Sequence, residues 1–179
     1  MPLDIPDHNE VFVDANIFVY HFSGPTEYTD ICAQFLQRVE EVRLFAFTST
    51  LVLAETLHRL MIIEATTKLQ IGPKVAIHHL KTHPLDVKIL TEHIKVPEKI
   101  HTLGIKILPI DIDDILKSNE IKREYGLLTN DAITLAVMKR YHLRNIATND
   151  PDFERVTDLL IWKPNGLTYG VRGSLGDVV

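Results

Sequence analysis

Short runs of β-branched and aromatic residues alternate with longer stretches of helical periodicity along most of the chain. The strand-like runs occupy residues 11–13, 43–48, 105–110, 145–148 and 159–162. The helical patterns start at Ala15, cover 26–42, start again after an N-cap at Ser49 or Thr50, cover 112–125, and run from a Thr129 cap to about His142. This alternation favours an α/β fold, with a mainly parallel central sheet flanked by helices.

Two of these helices carry apolar residues that predict how they pack. In the helix over 26–42, one stripe is formed by Ile31, Phe35, Val39 and Val42, and we expect it to face the core. The next helix is apolar around most of its circumference. We therefore expect its early turns, which carry Glu55, to be largely buried.

The segment 72–104 has a different character, because Pro73, Pro84 and Pro97 interrupt it. Proline favours short helices separated by kinks over one long helix. We see no linker, repeat or low-complexity tract, so we expect a single domain over 1–179. Its core spans about 10–164, and a glycine-containing tail over 165–179 is expected to be loose.

Composition excludes several classes of protein. No apolar run in the 179 residues approaches the roughly 20 that a membrane helix needs, and the N-terminus does not resemble a signal peptide. The single cysteine, Cys32, cannot form an internal disulfide; we expect it to pack as a small apolar residue in a cytoplasmic protein. The net charge of −5 argues against a nonspecific DNA binder, yet an acidic metal centre would itself supply some of that charge.

Four acidic residues stand out because each falls at a strand end or a helix start. They are Asp14, Glu55, Asp131 and Asp150. The carboxyl ends of parallel strands meet at one crevice of a sheet, so acids distant in sequence can be neighbours there. A cluster of carboxylates is stable around cations, which makes a divalent-metal site the leading interpretation.

Each acid also has a local explanation. Asp14 can cap a helix, and Glu55 can pair with Arg59 one turn later. Asp131 lies in a first helical turn, where the helix dipole favours an acid. Asp150 belongs to an Asn-Asp-Pro-Asp sequence typical of turns. None of the four is therefore informative alone, and the metal site depends on their combination.

The order and context of these residues resemble the PIN-domain family, the fold of VapC-type toxin ribonucleases and related RNA-processing nucleases. The resemblance covers roughly 10–164. It is carried by VFVDANIFVY at 11–20, the helix of Glu55, TNDA at 129–132, IATNDPDF at 146–153 and LIWKP at 160–164.

The resemblance implies an α/β/α sandwich and an endoribonuclease that leaves a 3′-hydroxyl and a 5′-phosphate. It makes the four acids a catalytic quartet binding Mg²⁺ or Mn²⁺, with Asp152 as an outer acid and Asn16 and Thr148 as supporting polar residues. It also implies an RNA substrate, an antitoxin partner and a homodimer. The 72–104 segment departs from it, since it is long for a compact toxin.

Four basic residues lie on elements next to the acids and are candidates for contacts to the RNA phosphates. They are Arg59, Lys139, Arg140 and Arg144. Their alternative role is to form solvated helix faces, which is at least as good an explanation for any one of them.

Three other interpretations are weaker. A non-catalytic RNA-binding or assembly scaffold would leave the four acids without a purpose. A phosphoacceptor receiver domain would use Asp111 and Lys163, but it gives Glu55 and Asp131 no role. A zinc site at His79 and His83 lacks a nearby cysteine and an HExxH pattern.

Overall fold

The computed structural model describes residues 4–164, so the expected loose tail over 165–179 lies outside the described residues. Five strands form one sheet in the order β3-β2-β1-β4-β5, and every neighbouring pair is parallel. The strands are β1 (Glu10–Val13), β2 (Phe45–Ser49), β3 (Lys106–Leu108), β4 (Asn145–Ala147) and β5 (Leu160–Trp162). The predicted α/β class is confirmed, and the described sheet is parallel throughout.

Eight α-helices accompany the sheet within residues 4–164. They are α1 (Ala15–Phe22), α2 (Thr29–Glu40), α3 (Thr50–Leu69), α4 (Pro73–Thr82), α5 (Pro84–Lys88), α6 (Val96–Thr102), α7 (Ile112–Tyr125) and α8 (Thr129–Arg140). Helix α1 packs against α2 and α3, whereas α7 packs against α8. The right-handed crossovers that parallel strands favour would place these two groups on opposite faces of the sheet. None of the helices in this part of the chain is long and apolar enough to cross a membrane.

The segment 72–104 folds as its prolines predict. Pro73 and Pro84 begin α4 and α5, and Pro97 lies in the first turn of α6. Proline is tolerated there because the first amides of a helix have no partner inside it. A 3₁₀ turn over His93–Lys95 leads into α6.

Several predicted boundaries were wrong by a few residues. Helix α2 begins at Thr29, not at residue 26, and ends at Glu40. Val42 lies beyond it with a φ of 58° and is 64% exposed, so it is not part of the buried stripe. Thr129 does not cap α8, because that position is taken by Leu128, whose side chain makes no capping hydrogen bond.

The core confirms the role predicted for Cys32, which is fully buried in the main hydrophobic cluster. Burial raises the pKa of its thiol to about 12, which makes it unreactive. The expectation for Glu55 was wrong, because its side chain keeps 36% of its surface exposed. Glu55 therefore sits at a rim and not inside the core.

Candidate metal centre

The two acids that follow strands lie at the point where the strand order reverses. From β1 the chain proceeds to β2 and β3 on one side, and it then crosses back to β4 and β5 on the other. Asp14 follows β1 directly, and its amide donates to Ala147 O at 3.1 Å, at the end of β4. Asp150 comes shortly after β4. This is where open α/β sheets bind ligands.

Asp14 is held by three hydrogen bonds. Its Oδ1 accepts from the Ala15 amide at 2.7 Å, as a helix cap does. Its Oδ2 accepts from Asn16 Nδ2 at 2.6 Å and from Thr148 Oγ1 at 2.7 Å. Asn16 and Thr148 are themselves buried, so they fix the direction of the carboxylate from the protein side.

The same hydroxyl positions the loop that carries Asp150. Thr148 Oγ1 accepts from the Asp150 amide at 3.0 Å, while Asn16 Oδ1 accepts from the Asn149 amide at 3.1 Å. Asp150 Oδ1 in turn accepts from the Asp152 amide at 2.8 Å, which is the turn geometry that the sequence suggests. Asp14 therefore caps a helix and Asp150 forms a turn, and both still lie at the crevice.

The charges of Glu55 and Asp131 lie close enough to the crevice to take part in its electrostatics. The pKa of Asp14 is raised to about 6, mainly by burial; the hydrogen bonds from Thr148 and Ala15 oppose this rise, and the Glu55 and Asp150 charges add to it. Burial also raises the pKa of Asp131 to about 6, assisted by the charges of Asp150, Asp14, Glu55 and Asp152. Negative charge is thus concentrated here without enough positive charge to offset it.

Two of the acids have a basic partner. Glu55 Oε1 lies 3.7 Å from Arg59 Nη1 on the exposed side of α3. Asp152 Oδ1 lies 2.8 Å from Arg155 Nη2, which makes it the acid with the most evident structural role.

The donor chemistry fits a hard divalent cation, because all five acids offer carboxylate oxygens and Mg²⁺ prefers oxygen ligands. As the side chains stand, no three histidine, cysteine, aspartate or glutamate residues within 4–164 form a group that could hold a metal ion. An ion bound directly by three or more of them would therefore require some of these carboxylates to rotate toward one another.

Three of the four candidate phosphate contacts lie away from the acids. Arg140 ends α8, whereas Asp131 lies in its first turn, so the helix rise separates them by about 14 Å. Arg140 instead binds Asp111 and, at 2.9 Å, the buried Asp114. Lys139 and Arg144 line a cavity of about 490 Å³ near the amino end of β4. Only Arg59 adjoins one of the acids.

The residues of the receiver interpretation are far apart in the fold. Asp111 follows β3 and caps α7, whereas Lys163 follows β5 and pairs with Glu154. Strands β3 and β5 are the opposite edges of the described sheet, so this pair cannot form a phosphoacceptor site.

Sequence reasoning missed two polar contributors to the crevice. Asn149 Nδ2 donates to Tyr20 Oη at 3.0 Å, which ties the Asp150 loop to α1. Thr48, buried at the end of β2, donates to Val13 O at 2.9 Å, immediately before Asp14. Both could have been predicted from the sequence, because each is a polar residue at or just after the end of a strand.

Comparison with known proteins agrees with this geometry. A family model described as "PIN domain" matches residues 11–159. Ribonuclease VapC2 from Methanocaldococcus jannaschii is 29% identical over 160 residues, covering 87% of this chain and 94% of that protein.

Solved structures give the same fold. VapBC2 from Rickettsia felis, bound to a DNA fragment from their promoter, aligns with a TM-score of 0.55 at 16% identity, over 86% of this chain and 98% of that one. The sarcin–ricin-loop cleaving toxin VapC20 from Mycobacterium tuberculosis aligns with a TM-score of 0.55 at 13% identity, over 80% of this chain and 92% of that one. Because the family model matches most of its length, the chain belongs to the PIN domain family.

Proposed function

We propose that this protein is a divalent-metal-dependent endoribonuclease that acts in the cytoplasm. Asp14, Glu55, Asp131 and Asp150 are its metal ligands and catalytic acids, with Mg²⁺ or Mn²⁺ as the cofactor. The proposal is supported chiefly by the position of these carboxylates around the sheet's switch point, where their charges help to raise the pKa values of Asp14 and Asp131. The likeness to a ribonuclease over 87% of the chain supports the choice of RNA as substrate.

The chain's own residues hold and orient the reacting groups. Thr148 and Asn16 keep Asp14 directed into the crevice, and the Thr148 hydroxyl anchors the amide of Asp150. When bound, a divalent cation supplies the charge neutralisation and Lewis acidity that phosphodiester hydrolysis needs. Asp152 remains an outer acid, since its carboxylate already pairs with Arg155.

Contact with the RNA backbone is proposed for Arg59. Its guanidinium lies beside Glu55 and its side chain is 40% exposed, so a phosphate at the crevice could reach it. Lys139 and Arg144 are retained only as contacts to a more distant part of a longer RNA. Arg140 is the weakest of the four, because two aspartates already bind it.

An antitoxin partner and a homodimer are further proposals that follow from membership of the family. Light scattering of the purified chain over a concentration series tests the homodimer. A dimer mass is the expected result, and a monomer mass at every concentration would exclude it.

The direct experiment is to incubate the purified protein with a pool of labelled RNAs in Mg²⁺, Mn²⁺ or EDTA. Cleavage in either metal that EDTA stops is the expected result. Cleavage that EDTA does not stop would contradict the metal mechanism. Metal binding without cleavage of any RNA would favour the non-catalytic scaffold.

The matched variants are Asp14→Asn and Asp158→Asn. Both remove one carboxylate charge, but Asp158 is exposed and lies before β5, away from the acids. Loss of cleavage in the first alone assigns the reaction to the crevice, whereas equal loss in both would indicate a general charge effect.

A further inference from the structure

An aromatic pair borders the acidic crevice. The rings of Tyr20 and Tyr28 have centroids 4.7 Å apart and planes tilted by 45°. Tyr20 Oη accepts from Asn149 Nδ2 at 3.0 Å, and Asn149 directly precedes Asp150 in the chain. The pair is therefore joined to the loop that carries one of the four acids.

Tyr28 belongs to the same contact. The Glu27 carboxylate beside its hydroxyl raises the pKa of that phenol, and the Asn149 amide acts in the opposite sense. Tyr28 immediately precedes α2, follows a mostly exposed loop, and is only partly buried. Both rings pack against the hydrophobic core and both residues are only partly buried, so the pair offers part of an aromatic surface to solvent.

The charges around this surface select against a phosphate. Glu27 and Asp30 flank Tyr28 in the sequence and both are exposed, and the carboxylates of the crevice lie beyond Asn149. A phosphate would be repelled there, whereas a nucleobase is neutral and has a flat face. Stacking of bases on aromatic side chains is the usual way in which single-stranded nucleic acid is held without sequence readout.

We propose that Tyr28, braced by Tyr20, is a stacking site for one unpaired nucleobase of the RNA beside the acidic crevice. The inference rests on the proposed function, because it takes RNA as the ligand. It adds that the substrate is unpaired at this position, since a base held in a duplex cannot present its face to a side chain.

Binding without cleavage tests the proposal separately from catalysis. A fluorescently labelled single-stranded RNA of about a dozen nucleotides is titrated with wild type, Tyr28→Leu and Tyr28→Phe, in EDTA and in Ca²⁺. Gels confirm that the RNA stays intact. We expect Tyr28→Leu to raise Kd by about fivefold or more, and Tyr28→Phe to stay within about twofold because it keeps the ring.

Phe45→Leu is the matched control. Phe45 is an exposed ring, at 45% exposure, but it begins β2 and so lies at the amino end of the strand, whereas the acids lie at the carboxyl ends. Its loss should leave Kd unchanged. Thermal melts of all three variants establish that each is folded at the temperature of the titration.

A second readout reports stacking itself. RNA with a single 2-aminopurine should lose fluorescence on binding wild type and Tyr28→Phe, and lose less on binding Tyr28→Leu. A blunt RNA duplex should show no difference among the variants.

The two proposals fail in distinguishable ways. Unchanged Kd and unchanged 2-aminopurine quenching in Tyr28→Leu would overturn the stacking site while leaving the nuclease in place. An equal rise in Kd in Phe45→Leu would overturn the stacking site as well. Wild type that binds no RNA under either condition would overturn both.

Discussion

At the scale of single residues, the centre depends on buried groups that hold Asp14. The carboxylate accepts from an amide, a side-chain amide and a hydroxyl, and the Thr148 hydroxyl also accepts from the amide of Asp150. One fully buried threonine thus positions two of the acids. Groups of this kind orient metal ligands, and their removal typically lowers affinity or activity by about 10- to 100-fold.

Thr148→Val keeps the shape of the side chain and removes the hydroxyl. We expect cleavage to fall by about tenfold or more and the free energy of unfolding to fall by about 1–3 kcal/mol, because buried partners are left unpaired. Initial cleavage rates and urea denaturation measure the two effects. Thr157→Val, at an exposed position, should change neither, and wild-type rates in Thr148→Val would refute a positioning role.

The raised pKa values predict a pH dependence of stability in the absence of metal. Asp14 and Asp131 change from 3.8 in the unfolded chain to about 6 in the folded protein. Between these two pH values the folded state therefore binds more protons than the unfolded chain. The stability that the two groups contribute to the protein is lost as the pH rises from about 4 to about 6.

Asp14→Asn isolates the contribution of one group. His21, whose pKa burial lowers, acts in the opposite direction in wild type and variant alike. We therefore expect the Tm measured in EDTA to depend differently on pH between about 4 and about 6 in the two proteins: on acidification, the Tm of wild type should rise relative to that of Asp14→Asn. Equal slopes would contradict the raised pKa of Asp14.

At the scale of elements, the sequence predicted strands and helices well wherever apolar periodicity was strong. It failed at boundaries, where single hydrogen bonds decide the outcome. Thr26 looked like the start of α2, but its hydroxyl accepts from the Tyr28 amide at 3.2 Å in a turn, and the helix begins at Thr29. Val42 fitted the helical stripe but follows the helix with a positive φ, which no periodicity reveals.

Glu64 joins α3 to the segment over 72–104. Its carboxylate accepts from the amides of Thr91, Glu92 and His93 and pairs with Lys68 at 2.7 Å. Burial alone would raise the pKa of Glu64, but these hydrogen bonds outweigh it and lower the pKa to about 2. Glu64 is therefore a polar attachment of the segment to α3, in addition to the apolar cluster of Ala65, Leu80 and Leu90.

Glu64→Gln should release this attachment. We expect faster hydrogen exchange at residues 91–93 and a loss of about 1–3 kcal/mol in unfolding free energy. Glu92→Gln, which removes an exposed carboxylate, should leave exchange nearly unchanged. Wild-type exchange at residues 91–93 in Glu64→Gln would show that the segment is held by packing alone.

Arg140 has a role in linking elements that its sequence context did not reveal. It connects the end of α8 to the start of α7 through Asp111 and the buried Asp114. Arg140→Ala should lower the unfolding free energy by about 1–3 kcal/mol, because a buried carboxylate loses its partner. Its cleavage rate per folded molecule should match that of wild type.

Lys139→Ala provides the comparison, since that exposed side chain contacts only Tyr125 among the contacts described. The unfolding free energy of Lys139→Ala should match that of wild type. A large loss of RNA cleavage in folded Arg140→Ala would instead restore Arg140 as a substrate contact.

At the scale of the whole molecule, the convergence of the acids could be predicted because it follows from topology. Parallel strands bring their carboxyl ends to one edge whatever the details of packing, so Asp14 and Asp150 could be placed together from sequence. The contact of Tyr20 with Asn149 could not, because it depends on how α1 lies against the loop after β4. The exposure of Glu55 also depended on the position of α3 at the rim.

The proposed function requires the acids of this crevice to bind a divalent cation and to cleave RNA. The most direct measurement is the initial rate of RNA cleavage during a Mn²⁺ titration, with wild type and Asp14→Asn compared side by side. We expect a saturable, EDTA-reversible rise in the cleavage rate of wild type and no rise for the folded variant. Equal Mn²⁺-dependent rates in the two proteins would contradict it.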